Sequence, residues 1–282
     1  MSQAVDLFAK GQYDETIVLA KQGLQLYDAS PSNPSLKLKF LNLLGAVQLS
    51  LRMPESVDTF TEAINLAKSI ESKELTNLLN NAGAAYLTFD RKDEAKECFA
   101  DQLRYTSEND YDGIAAALGS LAIAFIDSEE QAVSFLETAL QLPLSPKQAV
   151  NTTQKFITVL RKNNRYLDAV QVLHTMFGAL QKYNVLSELV KLLEQCLQDV
   201  EAQEAYPQAL QTYGIAAEIY LSISDFKHSA EMLFLAAMCY KKEGNYPSAL
   251  ALLEGSLQLF EQVNSREDIW RVKLRYVLHS DL

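Results

Sequence analysis

A two-helix pattern returns along almost the whole of this chain. Its most regular mark is a small residue early in the second helix, at Thr16, Ser56, Ala95, Ala132, Ala169, Ala209 and Ala249. The successive intervals are 40, 39, 37, 37, 40 and 40 residues. A closed globular core has no reason to keep such a period. A row of helical hairpins does, because each buries its apolar face against its neighbours. The repeat therefore overrides the one or two globular domains that 282 residues would allow. With only 10 Gly and 7 Pro, the connections are expected to be short and helix is the default state.

The third copy shows the pattern most plainly. Leu79, Ala82, Gly83 and Tyr86 fall at i, i+3, i+4 and i+7, one stripe of a helix, and Ala95 and Phe99 mark the helix that follows. The glycine is expected to let the neighbouring helix approach closely. Leu41-x-x-Leu44-Gly45 leads in the same way to Ser56, Phe60 and Ala63, and Leu118-Gly119 leads to Ala132, Leu136 and Ala139. Leu233, Ala236, Ala237 and Tyr240 precede Ala249 and Leu253. The turns Gly11-Gln12-Tyr13, Asn164-Arg165-Tyr166 and Gly244-Asn245-Tyr246 each open on a residue suited to the left-handed conformation that ends a helix. Pro54, Pro207 and Pro247 all stand two residues before the small position, in a first turn where proline loses no helical hydrogen bond. Pro31, Pro34, Pro143 and Pro146 flank the junctions between copies.

This small-large signature across two antiparallel helices resembles the tetratricopeptide repeat. The resemblance covers residues 1–263, weakest in the first and sixth copies. The first has a short opening helix, and in the sixth Leu193, Cys196 and Leu197 replace the usual small residues. A period near 39 exceeds the common 34-residue repeat and is similar to the long-period arrays of polarity adaptors, kinesin light chains and SNAP-like vesicle-fusion adaptors. The fold expected is all-α: a right-handed α-solenoid of about seven hairpins over 1–263, then a C-terminal capping helix and tail over 264–282. Ser265 is the expected N-cap of that helix. Ile269, Trp270, Val272, Leu274 and Val277 are expected to close the stack, with Arg271, Lys273 and Arg275 facing solvent.

In the tetratricopeptide architecture the first helices line the concave surface, so the resemblance implies where a partner would lie. Taking the glycine position as register, the inward residues include Lys39 and Asn42 in the second copy and Asn77 and Asn80 in the third. Ser120, Asn151, Gln154, Arg161 and Lys162 follow in the fourth and fifth copies, and Lys191 in the sixth. Asparagine is a mediocre helix former, so its recurrence on one face needs a reason. Its amide can donate and accept at once and grip a peptide backbone. Equally, Asn42, Asn77, Asn80 and Asn81 can be exposed or tie neighbouring repeats together. Arg161 and Lys162, with Lys155 and Arg165, form a basic group that suits an acidic peptide or C-terminal carboxylate; such charges also serve simply to solvate a helix end. The five-residue carboxylate clamp of some family members does not align.

The net charge of −11 is concentrated in residues 1–141, where 11 Lys/Arg face 21 Asp/Glu, a balance of −10. Such a surface repels phosphate backbones and anionic lipid. Cys98, Cys196 and Cys239 form no CxxC pair, and His174, His228 and His279 lack metal-ligand spacing. No Gly-rich phosphate loop, GxSxG or HExxH occurs. The expectation is a cytoplasmic, non-enzymatic scaffold without cofactor or metal. Its partner would be a peptide or helical segment of another protein, within a multiprotein complex or alone, and neither nucleic acid nor the membrane interior. A SNAP-like adaptor and an architectural subunit of a larger assembly are the alternatives.

Overall fold

The computed structural model describes residues 1–29, 33–183, 185–203 and 206–280, with the side chains at 202–207 and 276–280 excepted. Pro31 and the side chains of Pro207, Val277 and His279 lie outside the described residues. Those described fold as helices joined by short turns and divide into two compact units, Met1–Leu144 and Ser145–Leu282. The first unit holds four hairpins: α1 (Ser2–Ala9) with α2 (Tyr13–Ala29), α3 (Pro34–Ser50) with α4 (Glu55–Ser69), α5 (Leu75–Thr88) with α6 (Lys92–Tyr105), and α7 (Tyr111–Ala124) with α8 (Glu129–Leu140). The second holds three: α9 (Pro146–Lys162) with α10 (Tyr166–Leu180), α11 (Leu186–Gln203) with α12 (Tyr206–Ser222), and α13 (Phe226–Lys242) with α14 (Tyr246–Gln262), followed by α15 (Arg266–Ser280). The short opening helix of the first copy is the eight-residue α1.

Local chemistry sets the helix ends. Pro34 and Pro146 open α3 and α9 behind Asn33 and Ser145, whose side chains accept from the Ser35 and Gln148 backbone N–H groups. Pro54 stands immediately before α4 at φ −58°, and Pro247 lies in the first turn of α14. Five hairpin turns share one C-terminal motif. Gly11, Arg52, Asp90, Asn164 and Gly244 take φ of 74°, 54°, 57°, 57° and 77°. The residue after each donates its backbone N–H five residues back: Gln12 to Leu7, Met53 to Gln48, Arg91 to Tyr86, Arg165 to Leu160 and Asn245 to Tyr240, all at 2.8–3.0 Å. This is the Schellman closure, which satisfies carbonyls the helix end would leave orphaned.

The seven small positions are all buried, each between 0 and 4% exposed. The glycines work against phenylalanines of the paired helix. A Cβ placed on Gly83 would lie 2.3 Å from Phe99, and one on Gly45 would lie 2.8 Å from Phe60. In the second unit buried serines do related work, as Ser229 donates to the Ala217 carbonyl at 2.9 Å and Ser256 to that of Ala230 at 2.7 Å. In the sixth copy, Leu193, Cys196 and Leu197 of α11 are buried as large core residues, and α10 packs against α12 as well as α11.

The last helix differs from its expected orientation. Val272 is buried and Ile269 packs with it on Phe260, Phe234 and Ala230. Trp270, however, is 69% exposed, and Leu274 lies on the same outer face. Arg271 turns inward, its guanidinium 4.7 Å from the Phe234 ring centre and paired with Glu231 and Asp268. Helix phase is the reason: once 269 and 272 face the stack, 270 and 274 must point away. Ser265 precedes the helix as expected, its hydroxyl donating to the Asp268 carboxylate at 2.6 Å.

Candidate functional site

In the first unit the opening helices of three successive hairpins frame a cleft of about 400 Å³. From α3 it takes Lys39, Asn42, Leu43 and Ala46, and from α5 Glu74, Asn77 and Asn81. Both sets keep to spacings of three, four and seven, so each is a single helix stripe. Met1, Val5 and Phe8 line the third side, at i, i+4 and i+7 along α1 and the residue before it. The floor is apolar, and the amides, one ammonium and one carboxylate stand above it.

The amides are held in place across repeats. The Asn81 Nδ2 donates to the Asn42 Oδ1 at 3.0 Å, a bond spanning 39 residues of sequence. It uses one donor of Asn81 and one acceptor of Asn42. The Asn42 NH₂ and the Asn81 carbonyl keep their capacity on the cleft wall, beside the exposed Asn77. This is a preorganised pair of one donor and one acceptor, the complement of a peptide backbone.

Of the residues the sequence singled out, Lys39, Asn42 and Asn77 meet here. Asn80 and Ser120 do not. The Ser120 hydroxyl donates to the Asn80 Oδ1 at 3.0 Å, and Ser120 is only 6% exposed. The pair is a rung holding α7 against α5, so Ser120 is corrected from a groove contact to a buried tie. The other five lie in the second unit. Asn151, Gln154 and Lys162 are exposed on α9 and Lys191 is exposed on α11. Arg161 is engaged: it contacts the Asp199 carboxylate at 2.5 Å and the Gln195 carbonyl at 3.0 Å, joining α9 to α11. Its guanidinium is raised further above its ordinary range by the hydrogen bond to Asp199. A carboxylate ligand would have to displace Asp199 to reach it.

Sequence reasoning missed Glu74 and the α1 contribution, and it set Asn81 with Asn80. The stripe Met1, Val5 and Phe8 was a readable signal. The Asn80–Asn81 doublet was not, because adjacent positions differ by 100° of helix rotation and the register alone does not decide between them. At Lys155, Cys98 and Cys196 burial governs titration. Desolvation lowers the Lys155 amine to about 8 and raises the thiols of Cys98 and Cys196 to about 11 and about 12. Among the described residues no group of three or more His, Cys, Asp or Glu is placed to hold a metal, and no helix is long and apolar enough to cross a membrane.

No family model matches the chain, and no curated protein matches it. Solved structures do. The apo form of RapI superposes with a TM-score of 0.56 at 13% identity, covering 86% of this chain and 96% of RapI. The C-terminal part of a TPR repeat-containing protein from Cytophaga hutchinsonii gives 0.54 at 13% identity, with 92% and 94% covered. The nearly identical TPR-like repeats of a kinesin light chain protein from Podosopora anserina give 0.54 at 14% identity, with 65% and 94% covered. The fold is thus the tetratricopeptide-like helical hairpin array that the repeat pattern implied.

Proposed function

We propose that this chain is a non-enzymatic scaffold that holds a peptide or short helix of another protein in the cleft between α1, α3 and α5. The observation that carries the reading is the Asn42–Asn81 pair, fixed above an apolar floor with a donor and an acceptor still to offer. Side chains of the partner would rest on Val5, Phe8, Leu43 and Ala46 while its backbone meets the amides and Asn77. A protein partner, rather than nucleic acid, suits the acidic balance of residues 1–141. The free thiols, two of them buried, suit a reducing compartment such as the cytoplasm.

The test compares partners captured from native lysate by the wild-type chain and by the Asn77→Arg, Val5→Glu double variant. A partner specific to the cleft is lost by at least tenfold while helicity and melting stay unchanged, since both replaced residues are exposed. Undiminished capture by the double variant would remove the cleft from the account. The exposed Trp270 and Leu274 of α15 support a second reading, an architectural subunit held by contacts on that helix. Capture sensitive to Trp270→Glu and indifferent to the cleft variants would favour it.

A further inference from the structure

The second unit contains a separate cavity of about 240 Å³ between α11, α12 and α13. Val200, Ala209, Tyr213 and Cys239 line it as buried residues, Leu235 and Met238 are half-buried, and Glu201 and Lys242 stand exposed at its edge. Tyr213 is only 5% exposed, yet its hydroxyl makes no hydrogen bond with the described residues. Burial pushes the phenol well above its usual range, with Glu201 and Cys239 adding to the effect, so the group stays protonated and able to donate. A tyrosine buried this deeply ordinarily spends its hydroxyl on a partner. Here Tyr213 lines a cavity large enough for one ring and smaller than the roughly 300–1,000 Å³ of sites for drug-sized ligands.

We infer that this cavity is a socket for one aromatic side chain with a hydrogen-bonding group, a tyrosine or tryptophan presented by a partner polypeptide and read by the Tyr213 hydroxyl. Three features choose that occupant. The lining is apolar with two sulfurs, from Met238 and Cys239, and thioethers and thiols pack favourably at ring edges. An aliphatic or phenylalanine occupant would seal the Tyr213 hydroxyl away from water without a partner, which is costly. Among the described residues the edge carries one charge of each sign, Glu201 and Lys242, where the main chain bearing the ring would cross. The socket is independent of the cleft in the first unit, and the failure of either leaves the other standing.

Methionine methyl labelling of the full chain provides a local probe. Only five methionines occur, Met1, Met53, Met176, Met232 and Met238, and the Met238 signal is identified by Met238→Leu. The chain is titrated with the N-acetyl amides of tyrosine, tryptophan and phenylalanine. A saturable shift of the Met238 methyl is expected with tyrosine or tryptophan amide, with Met53 unmoved. The phenylalanine amide should bind roughly fivefold more weakly, the equivalent of one neutral hydrogen bond. Tyr213→Phe should abolish that gap. The inference is overturned by an unmoved Met238 signal up to the solubility limit, or by equal shifts at all methyls. It is likewise overturned if phenylalanine amide binds the wild-type chain as well as the polar rings do. That last comparison needs no variant and decides the matter even if Tyr213→Phe does not fold.

Discussion

Two hydroxyls in the same column of the repeat have opposite fates. Thr16 is fully buried but donates to the Gln12 carbonyl at 2.6 Å. The Oγ of Ser56 is buried with no partner among the described residues, at a position that is alanine in five other copies. Ser56→Ala should therefore stabilise the chain by about 1 kcal/mol, read as a higher urea midpoint at unchanged slope. Lys155 carries a different cost, that of desolvating an amine. Its folded-state amine titrates near 8 against an ordinary 10.5, so between those values the unfolded chain binds more protons and stability rises with pH. Below pH 8 the full penalty of the buried charge is present. Lys155→Met should gain roughly 1–3 kcal/mol at pH 7, and that gain should vanish above pH 10.5. A pH-independent change, or a loss at pH 7, would show that side-chain packing and polar contacts rather than charge burial set the effect. The column of small residues was legible in the sequence. Whether a hydroxyl in it finds a carbonyl was not, because that depends on the neighbouring turn.

At the scale of elements, close approach of paired helices is the dominant constraint. Gly83 faces Phe99, which is 2% exposed and has nowhere to retreat. Gly83→Ala should cost about 1–3 kcal/mol by overpacking, measured by denaturant unfolding. Adding Phe99→Leu should recover part of that loss, and an additive further loss would refute the steric account. The role of the glycine was readable from its place in the stripe, as was the α15 start at Ser265. The facing of α15 was not. Its apolar residues at 269, 270, 272 and 274 span more than one face, so periodicity alone admits two rotations. Packing on Phe234 and Phe260 selects the one that leaves Trp270 outside. The asparagines show the same limit: their helix face was readable, while the division into a cleft pair (Asn42–Asn81) and a rung (Asn80–Ser120) came only with the neighbouring helices in place.

For the molecule as a whole, stability in a hairpin array is a sum of local terms, so damage should stay local. Phe60 is fully buried in the cluster formed by α3, α4 and α5. Phe60→Ala, at about 3–5 kcal/mol, should strip hydrogen-exchange protection from α3–α6 and leave α13–α15 as in the wild type. Uniform loss throughout the chain would mean that it unfolds as one cooperative body. The partition into residues 1–144 and 145–282 left no trace in the period, since the interval from Ala132 to Ala169 equals the one before it.

What this sequence determined by itself was the hairpin array: helix period, buried columns and turn chemistry are properties of a few consecutive residues. The tertiary structure alone decided which polar side chains are spent and which remain to be offered. Asn42–Asn81, Asn80–Ser120 and Arg161–Asp199 join residues 39, 40 and 38 apart, one repeat in each case. Such bonds depend on the rotation of each helix and the angle at which it crosses the next. Those quantities are set by the packing of two surfaces, and no single helix carries them in its own spacing.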